Sequence, residues 1–336
     1  MCVPPPSVDL EPLAEAPTAS VCIAAYQAEG TILAAVLSAL TQTWPPLEVV
    51  VVDDGSSDGT AQVLADVDDP RLRVLHQANA GEAAAKNAAV QAARGDLVVV
   101  LDADDAWYPE RLAALMALAR ARPDLDVLTT DADLTVDGLI VRQVYGPSWP
   151  FEVHDQRGAL LVRNTIFSGA AVRRSTWLGV GGMEDGLSPT ADWDLWQRLA
   201  LAGSSFGLVD VPLARYTVGT QNMSSDRLAM NRARARQLRR VLTAPGLSSL
   251  ERCAVRAALR EQERAAATGA LKRALEQRAP VRRLALVTAL GRSGADARGR
   301  LLALAVAAAP GLAASRLAAV DDGTVQVVAG VRVPRR

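Results

Sequence analysis

Three features of the sequence predict an α/β fold built on a mostly parallel sheet. Short valine-rich runs alternate with stretches of helical spacing from Ser20 to about Asp131, as βαβ units require. Runs such as Leu97, Val98, Val99, Val100 and Leu101 are apolar on both faces, the mark of strands inside a parallel sheet. At 336 residues and 50% hydrophobic side chains, the chain is long enough for one large α/β domain and an appended piece, and its composition is neither disordered nor fibrous.

In order, residues 20–26 are the expected first strand, 29–41 a helix and 47–52 the second strand. Then come a helix at 57–65 capped by Ser57, a strand at 72–76, a helix at 81–93 stopped by Gly95, and the strand beginning at Leu97. The loop after each strand opens at the same edge of the sheet, so Tyr26, Asp53, Asp54, His76 and residues 102–105 are expected to converge. Past Pro123 the pattern shortens. A strand at 125–130, a hairpin at 134–145 around Asp137 and Gly138, a helix at 158–163 and a strand at 165–173 are expected. A flexible stretch at 179–186, a helix at 189–201 and closing strands at 206–209 and 212–218 follow.

Chemistry concentrates where the Leu97 strand ends in Asp102, Asp104 and Asp105. Carboxylates spaced D-x-D at a strand's carboxyl edge can turn oxygens toward one hard divalent cation, although an acidic turn capping the next helix would account for Asp105 before Pro109. In the loop VVDDGSSDGT, Gly55 lets the backbone approach a ligand, and Asp53 and Asp54 can accept hydrogen bonds from a base or sugar hydroxyls. Lys86 and Asn87 stand near the start of a small-residue helix. Lys86 there can reach an anionic ligand, but from the residues alone the favoured reading is a solvated lysine on an exposed face. Trp193, Trp196, Leu199 and Ala200 share one helical face and leave Asp192 and Asp194 in the first turn, where Asp192 would also serve as an N-cap.

Charge is uneven. After Ser225 there are 22 Lys/Arg against 8 Asp/Glu, a balance of +14, and before it 14 against 29, a balance of −15. The later part is Ala-, Leu- and Arg-rich with helical spacing, punctuated at Pro245–Gly246, Gly269, Pro280, Gly291 and Pro310–Gly311. Arg232, Arg234, Arg236, Arg239 and Arg240 read as solvated arginines over an Ala-rich helix or as a surface for anionic lipid. Without interleaved aromatics they give no support to nucleic-acid binding. Cys2, Cys22 and Cys253 suit neither a disulfide framework nor a zinc site. No Lys or Arg precedes Arg71 and no apolar run approaches the roughly 20 residues of a spanning helix, so the expectation is a cytoplasmic protein, held at most at the inner face of the membrane.

Four blocks, in this order, resemble the family 2 glycosyltransferases: VCIAAYQAEGTI, QTWPPLEVVVVDDGSSDGT, NAGEAAAKNAAVQAARGDLVVVLDADDAW and GVGGMEDGLSPTADWDLWQRLALAG. They span roughly residues 20–224. The resemblance implies the GT-A fold, a Rossmann-like mostly parallel sheet flanked by helices. The expected domains are a leader at 1–19, a GT-A domain at 20–225, a helical extension at 226–320 and a tail at 321–336. The resemblance also implies a nucleotide-sugar donor, UDP-sugar by default, held by Ala25, Tyr26, Asp53, Asp54, Gly55, Lys86, Asn87, Asp102 and Ala103. Asp102 and Asp104 would bind Mn²⁺ or Mg²⁺, and Asp192 would be the catalytic base. The implied acceptor is a glycan, lipid-linked or small-molecule hydroxyl, within cell-envelope polysaccharide biosynthesis. The chain departs from the family at Ala24 and Ala25, which replace a Pro-containing turn, at Gln27 for Asn, at Ala191 for Glu, and at Thr217 and Gly219, where many members carry Arg and His.

The mechanism so implied is a single displacement with inversion, in which Asp192 takes the proton of the attacking hydroxyl. Two other classes fit parts of the sequence. A haloacid-dehalogenase-like phosphatase also ends a buried strand in D-x-D, and a non-catalytic sugar-nucleotide or glycan-binding domain would tolerate the loss of Arg and His. No G-x-G-x-x-G follows the first strand, which argues against a Rossmann dehydrogenase.

Overall fold

The computed structural model describes residues 17–136, 138–147, 149–166, 169–217, 226–276, 325–328 and 331–334. The chain divides into two compact units, Met1–Thr217 and Val218–Arg336.

In the first unit, β1 (Ala19–Ala25), β2 (Glu48–Asp53), β3 (Leu72–His76) and β4 (Leu97–Asp102) run parallel in the order β3-β2-β1-β4. Helices α1 (Ile32–Leu40), α2 (Thr60–Ala65) and α3 (Glu82–Ala92) make the crossovers. Val21, Cys22, Ile23 and the valines of β2 and β4 have almost no exposure. Burying each such side chain contributes about 1.5–3 kcal/mol, so these runs are stable only inside the sheet. Cys22 lies among them, and burial pushes its thiol far above the ordinary range, which leaves it unreactive. Strand order reverses between β1 and β4, and the carboxyl ends at such a reversal open a crevice.

Beyond β4 the order is β5 (Ala106–Trp107), α4 (Arg111–Ala121), β6 (Val127–Val136), β7 (Leu139–Gln143), α5 (Gln156–Val162), β8 (Ala171–Arg173), α6 (Arg174–Gly179), α7 (Ala191–Leu201) and β9 (Phe206–Thr217). β8 lies antiparallel to both β4 and β6, β9 runs parallel to β6, β5 pairs antiparallel with β9, and β7 folds back on β6. The expected mixed α/β architecture and the hairpin at Gly138 are both present.

Several local expectations are corrected. Ser57 does not cap α2, whose N-cap is Gly59 without a side-chain bond; the Ser57 N–H donates to Gln27 Oε1 instead (2.7 Å). Nor does Asp105 cap α4, whose N-cap is Glu110. The strand expected from 165 shrinks to Ala171–Arg173, and residues 174–179 form a helix. The two closing strands merge into β9. Pro212 fits there because the register with β6 shifts between Thr130 and Asp131, so its missing N–H breaks no regular ladder. The glycine-rich stretch expected to be flexible is pinned, since Arg198 donates to the Val180 and Gly182 carbonyls at 2.7 and 2.6 Å.

The second unit contains α8 (Arg227–Thr243), capped by Asp226, and α9 (Ser249–Glu276). α9 runs straight through Gly269, where punctuation was expected. A Cβ there would stand 3.6 Å from Leu228, an ordinary contact, so the packing of α8 does not require the glycine. β10 (Val325–Val328) and β11 (Val331–Pro334) form an antiparallel pair in the region expected to be a tail. The leader to residue 16, Gly219, and the helices expected beyond residue 276 lie outside the described residues.

One glycine has a steric requirement at the crevice. Gly55 has φ +73°, and a Cβ would lie 2.8 Å from the Asn79 backbone nitrogen. Gly55→Ala should therefore cost about 1–3 kcal/mol in urea unfolding, the usual penalty for a non-glycine residue forced into this conformation. An unchanged midpoint would show that the two loops can separate freely.

Candidate active site

The ends of the four parallel strands are level. Ala25 pairs with Asp53, Asp53 with His76, and Ala24 with Asp102. This register, set by the buried valines below it, brings the predicted residues to one edge.

On the β1–β2–β3 side, Asp53 and Asp54 are both buried. Asp53 accepts the Ser56 N–H (3.0 Å), and its other oxygen lies 3.2 Å from His76 Nδ1. Asp54 accepts from Gln77 Nε2, Ala80 N and Gly81 N at 2.7, 2.9 and 2.8 Å, so it anchors the loop that starts α3. Its own N–H donates to the Ala25 carbonyl. Gln27, at φ 50°, clasps the same loop through Ser57 N and Asp58 N, while the Tyr26 ring is 55% exposed and faces solvent.

At the end of β4, Lys86 is buried, which overturns the solvated-face reading. Its ammonium lies 2.6 Å from Asp102 Oδ1 and 2.5 Å from Glu82 Oε1. Burial alone would lower its pKa, but the carboxylates of Asp102 and Glu82 outweigh burial and hold it well above the lysine range. Asp104 is raised by desolvation and then by Asp102, and Asp105 well above the usual carboxylate range by burial, Asp102 and Asp104. Asp105 accepts the Thr217 N–H at 2.9 Å, which ties β9 to this turn. Arg111, wholly buried beneath it, bonds Thr130 Oγ1 and the Gly169 carbonyl and lies 5.1 Å from the centre of the Trp107 ring. Burial lowers its pKa to about 9 against the pull of Asp105. Ala103, partly exposed, forms the tip of the turn closed by Asp105 N–H on the Asp102 carbonyl. Asn87 faces elsewhere: its amide is matched to the Met183 backbone at 2.7 and 2.8 Å and fixes the glycine-rich stretch.

α7 supplies the remaining acid. Its N-cap is Thr190, so Asp192 is not the cap. Asp192 accepts the Trp193 N–H (2.6 Å) on one oxygen and Asn164 Nδ2 (2.8 Å) on the other. Burial raises it to about 6, opposed by Lys86 and assisted by Glu82, so its charge is coupled to the β4 cluster. Asp194 is buried against Arg198 at 2.7 Å and serves the helix. The sequence reading missed Glu82, Arg111, Trp149 and Asn164. Only Glu82 left a signal, its i,i+4 spacing to Lys86.

The donor set suits a divalent ion shared with a ligand. Among the described residues no three His, Cys, Asp or Glu side chains enclose a metal position, yet Asp102 and Asp104 offer hard oxygens whose mutual repulsion a cation would relieve. Magnesium-like ions are commonly held by one or two carboxylates plus substrate phosphates.

Residues 20–177 match the profile of Glycosyl transferase family 2. Over those residues, just under half of the chain, the sequence is that of a domain similar to this family. It is 34% identical over 169 residues to the uncharacterized glycosyltransferase YibD of Escherichia coli, a match covering 48% of this chain and 47% of YibD. The chain thus spans about half the length of that relative. Its fold resembles Staphylococcus aureus TarS 1-349 in complex with UDP-GlcNAc, at TM-score 0.61 and 18% identity over 95% of this chain and 96% of that one. It also resembles the mannosyltransferase PcManGT of Pyrobaculum calidifontis in complex with GDP-Man and Mn²⁺, at 0.60 and 21% over 94% and 90%. Both likenesses establish the GT-A fold for the family 2 domain.

The two acid clusters should separate under mutation. Asp54→Ala removes the buried acceptor of the Gln77, Ala80 and Gly81 hydrogen bonds that anchor this loop and should cost on the order of 2 kcal/mol in denaturant unfolding. Asp104→Ala, at an exposed edge, should leave the midpoint unchanged or raise it, because like charges are thinned. It should also remove the Mn²⁺-dependent part of UDP binding measured calorimetrically. Mn²⁺-dependent binding that survives the change would deny Asp104 its metal role.

Proposed function

We propose that this chain transfers a sugar from a nucleotide-diphosphate sugar, UDP-sugar first among the candidates, to an acceptor hydroxyl with inversion. The observation that carries the reading is Asp192. It is a partly buried carboxylate at the first turn of α7, raised to about 6 by burial and acted on by the charges of Lys86 and Glu82. A base with a pKa near working pH is ionised yet still takes up a proton.

Asp53 and the Gly55 loop form the floor for the nucleotide base, with the exposed Tyr26 ring beside it. Asp102 and Asp104 are the residues that would hold a divalent ion, which when bound would neutralise the diphosphate leaving group. Lys86, too buried to touch a ligand, pairs with Asp102 and orients it. As the acceptor oxygen attacks the anomeric carbon, Asp192 removes its proton, the bond to the diphosphate breaks, and the configuration inverts. The phosphatase reading finds no support in the family match. Consumption of nucleotide sugar separates a transferase from a binding domain.

Asp192→Asn should keep donor binding and lower turnover roughly 10²-fold or more, the usual worth of a general base. In the unaltered enzyme kcat should rise as pH passes through about 6 and then level, because only the ionised carboxylate accepts the proton. Asp194→Asn should lower stability through loss of its Arg198 pair and change kcat little. Near-native turnover in Asp192→Asn at saturating acceptor would remove it as the base.

The reading extends to the helical unit, which supports contact with an anionic membrane surface near a lipid-linked acceptor. Arg232, Arg236 and Arg239 line an exposed groove between α8 and α9 together with Glu263, which pairs with Arg239 at 2.5 Å, and no helix among the described residues is long and apolar enough to span a bilayer. Each arginine near such a surface contributes about 1 kcal/mol. Replacing all three by Ala should cut binding to phosphatidylglycerol vesicles at low salt roughly 100-fold, with 0.5 M salt having a similar effect on the parent. Equal vesicle binding by both proteins would leave the arginines as helix solvation alone.

A further inference from the structure

Asn164 uses three groups in three directions. Its Nδ2 donates to Asp192 Oδ2 at 2.8 Å, its Oδ1 accepts the Ile166 N–H at 3.2 Å, and its backbone carbonyl accepts Trp149 Nε1 at 2.6 Å. Because the Ile166 N–H requires an oxygen at Oδ1, the amide has one orientation and its NH₂ must face the carboxylate. With Trp193 N–H on the other oxygen, both ends of the Asp192 carboxylate are held and its plane is set.

Trp149 is joined to the same point. Its indole N–H is spent on Asn164, so what it offers to solvent is apolar ring. Tyr145 backs that ring at a centroid distance of 5.8 Å, and Phe151 meets Tyr145 edge-on at 5.7 Å. The backbone pair between Gly146 and Trp149 closes the turn, and both Trp149 and Phe151 remain partly exposed. The result is a braced aromatic face one residue away from the base, in a loop the donor-binding residues do not use.

We infer that Trp149 and Asn164 build the acceptor side of the site, Trp149 receiving the apolar face of a sugar ring and Asn164 aiming the Asp192 carboxylate at that ring's hydroxyl. The inference rests on Asp192 being the base. A pyranose presents C–H groups on its face and hydroxyls at its rim, so a ring lying on an aromatic plane projects a hydroxyl sideways. A simple alcohol makes no use of such a plane. Binding sites of this kind are lined by aromatic side chains, with a few polar groups setting orientation. Among the acceptor classes, a chain that ends in a sugar therefore fits best. Asn164 is a positioning residue: it touches the base and acts through it.

The experiment has two arms, both on the full chain. In the first, saturation-transfer NMR measures binding of methyl β-D-glucopyranoside and methyl β-D-galactopyranoside, with glycerol as the non-sugar alcohol and UDP binding as a fold control. Trp149→Ala and Trp149→Leu should weaken methyl-glycoside binding about tenfold, and Trp149→Phe, which keeps a ring without the N–H, should retain most of it. Glycerol should not respond. In the second arm, a thermal-shift panel of UDP-glucose, UDP-N-acetylglucosamine and GDP-mannose selects the donor, and kcat for transfer to methyl glycosides is followed against pH. Asn164→Ala removes a hydrogen bond that favours the ionised Asp192, so the midpoint near 6 should move upward with KM for donor unchanged. Lys86 and Glu82, the charged groups of α3 that act on Asp192, stay in place in every variant. If the unaltered chain turns over donor but Trp149→Leu binds methyl glycosides as well as Trp149→Phe does, the aromatic face is not the acceptor site. An unmoved midpoint in Asn164→Ala overturns its role at Asp192. If the unaltered chain consumes no nucleotide sugar, the transferase reading fails and the inference falls with it.

Discussion

Too many carboxylates meet at the end of β4, and most of the surrounding structure manages that charge. Asp102, Asp104 and Asp105 follow one another at a single turn, with Glu82 and Asp192 near enough to act on the same groups. In a region with little water such repulsion is strong. Two buried cations oppose it from different sides: Lys86 between Asp102 and Glu82, and Arg111 below Asp105. Neither is aimed at a ligand. Asp104 and Asp105 stay raised, first through burial and then through the neighbouring carboxylates, and a cation at this edge would offset the second of these.

The parallel half of the sheet was legible because a strand buried on both faces must be apolar at every position, and the valine runs of β2 and β4 leave no other reading. The antiparallel half gave weaker signals. β5 is two residues long and β8 three, too short for any periodicity, and both exist because longer neighbours recruit them. β9 was broken in two on paper by Asp210, Val211 and Pro212, since the register shift that accommodates them belongs to its pairing with β6. The missed cap at Ser57 has a similar origin. Gln27, thirty residues earlier in the chain, takes the N–H groups that a local rule would leave to the serine.

The candidate site was legible in its residue types more than in their duties. Asp53, Asp54, Lys86, Asn87, Asp102, Asp104 and Asp192 stood out as chemically expensive residues at strand or helix ends. Asp54 and Asn87 turn out to be occupied by backbone groups from other loops, and Lys86 by carboxylates. A sequence shows that a polar group must be satisfied but not by what, because partners such as Met183 for Asn87 lie 96 positions away. Asn164 and Trp149 left no trace at all: one Asn and one Trp in an irregular stretch have no pattern until the fold sets them against Asp192.

The charge balance extends to the first turn of α7, where the acids are Asp192 and Asp194 and the second is taken by Arg198. The rise of Asp192 to about 6 then comes first from burial, with Glu82 a smaller contributor, and it is restrained by Lys86, Asn164 and its own neighbour's N–H. A carboxylate tuned by burial responds to whatever covers it. A sugar ring lying on Trp149 would remove more water from Asp192 and raise its proton affinity further as the acceptor arrives. With Asp192 as the proposed base, acceptor binding and the strengthening of that base would be one event, and a smaller alcohol that leaves water at the carboxylate would meet a weaker base.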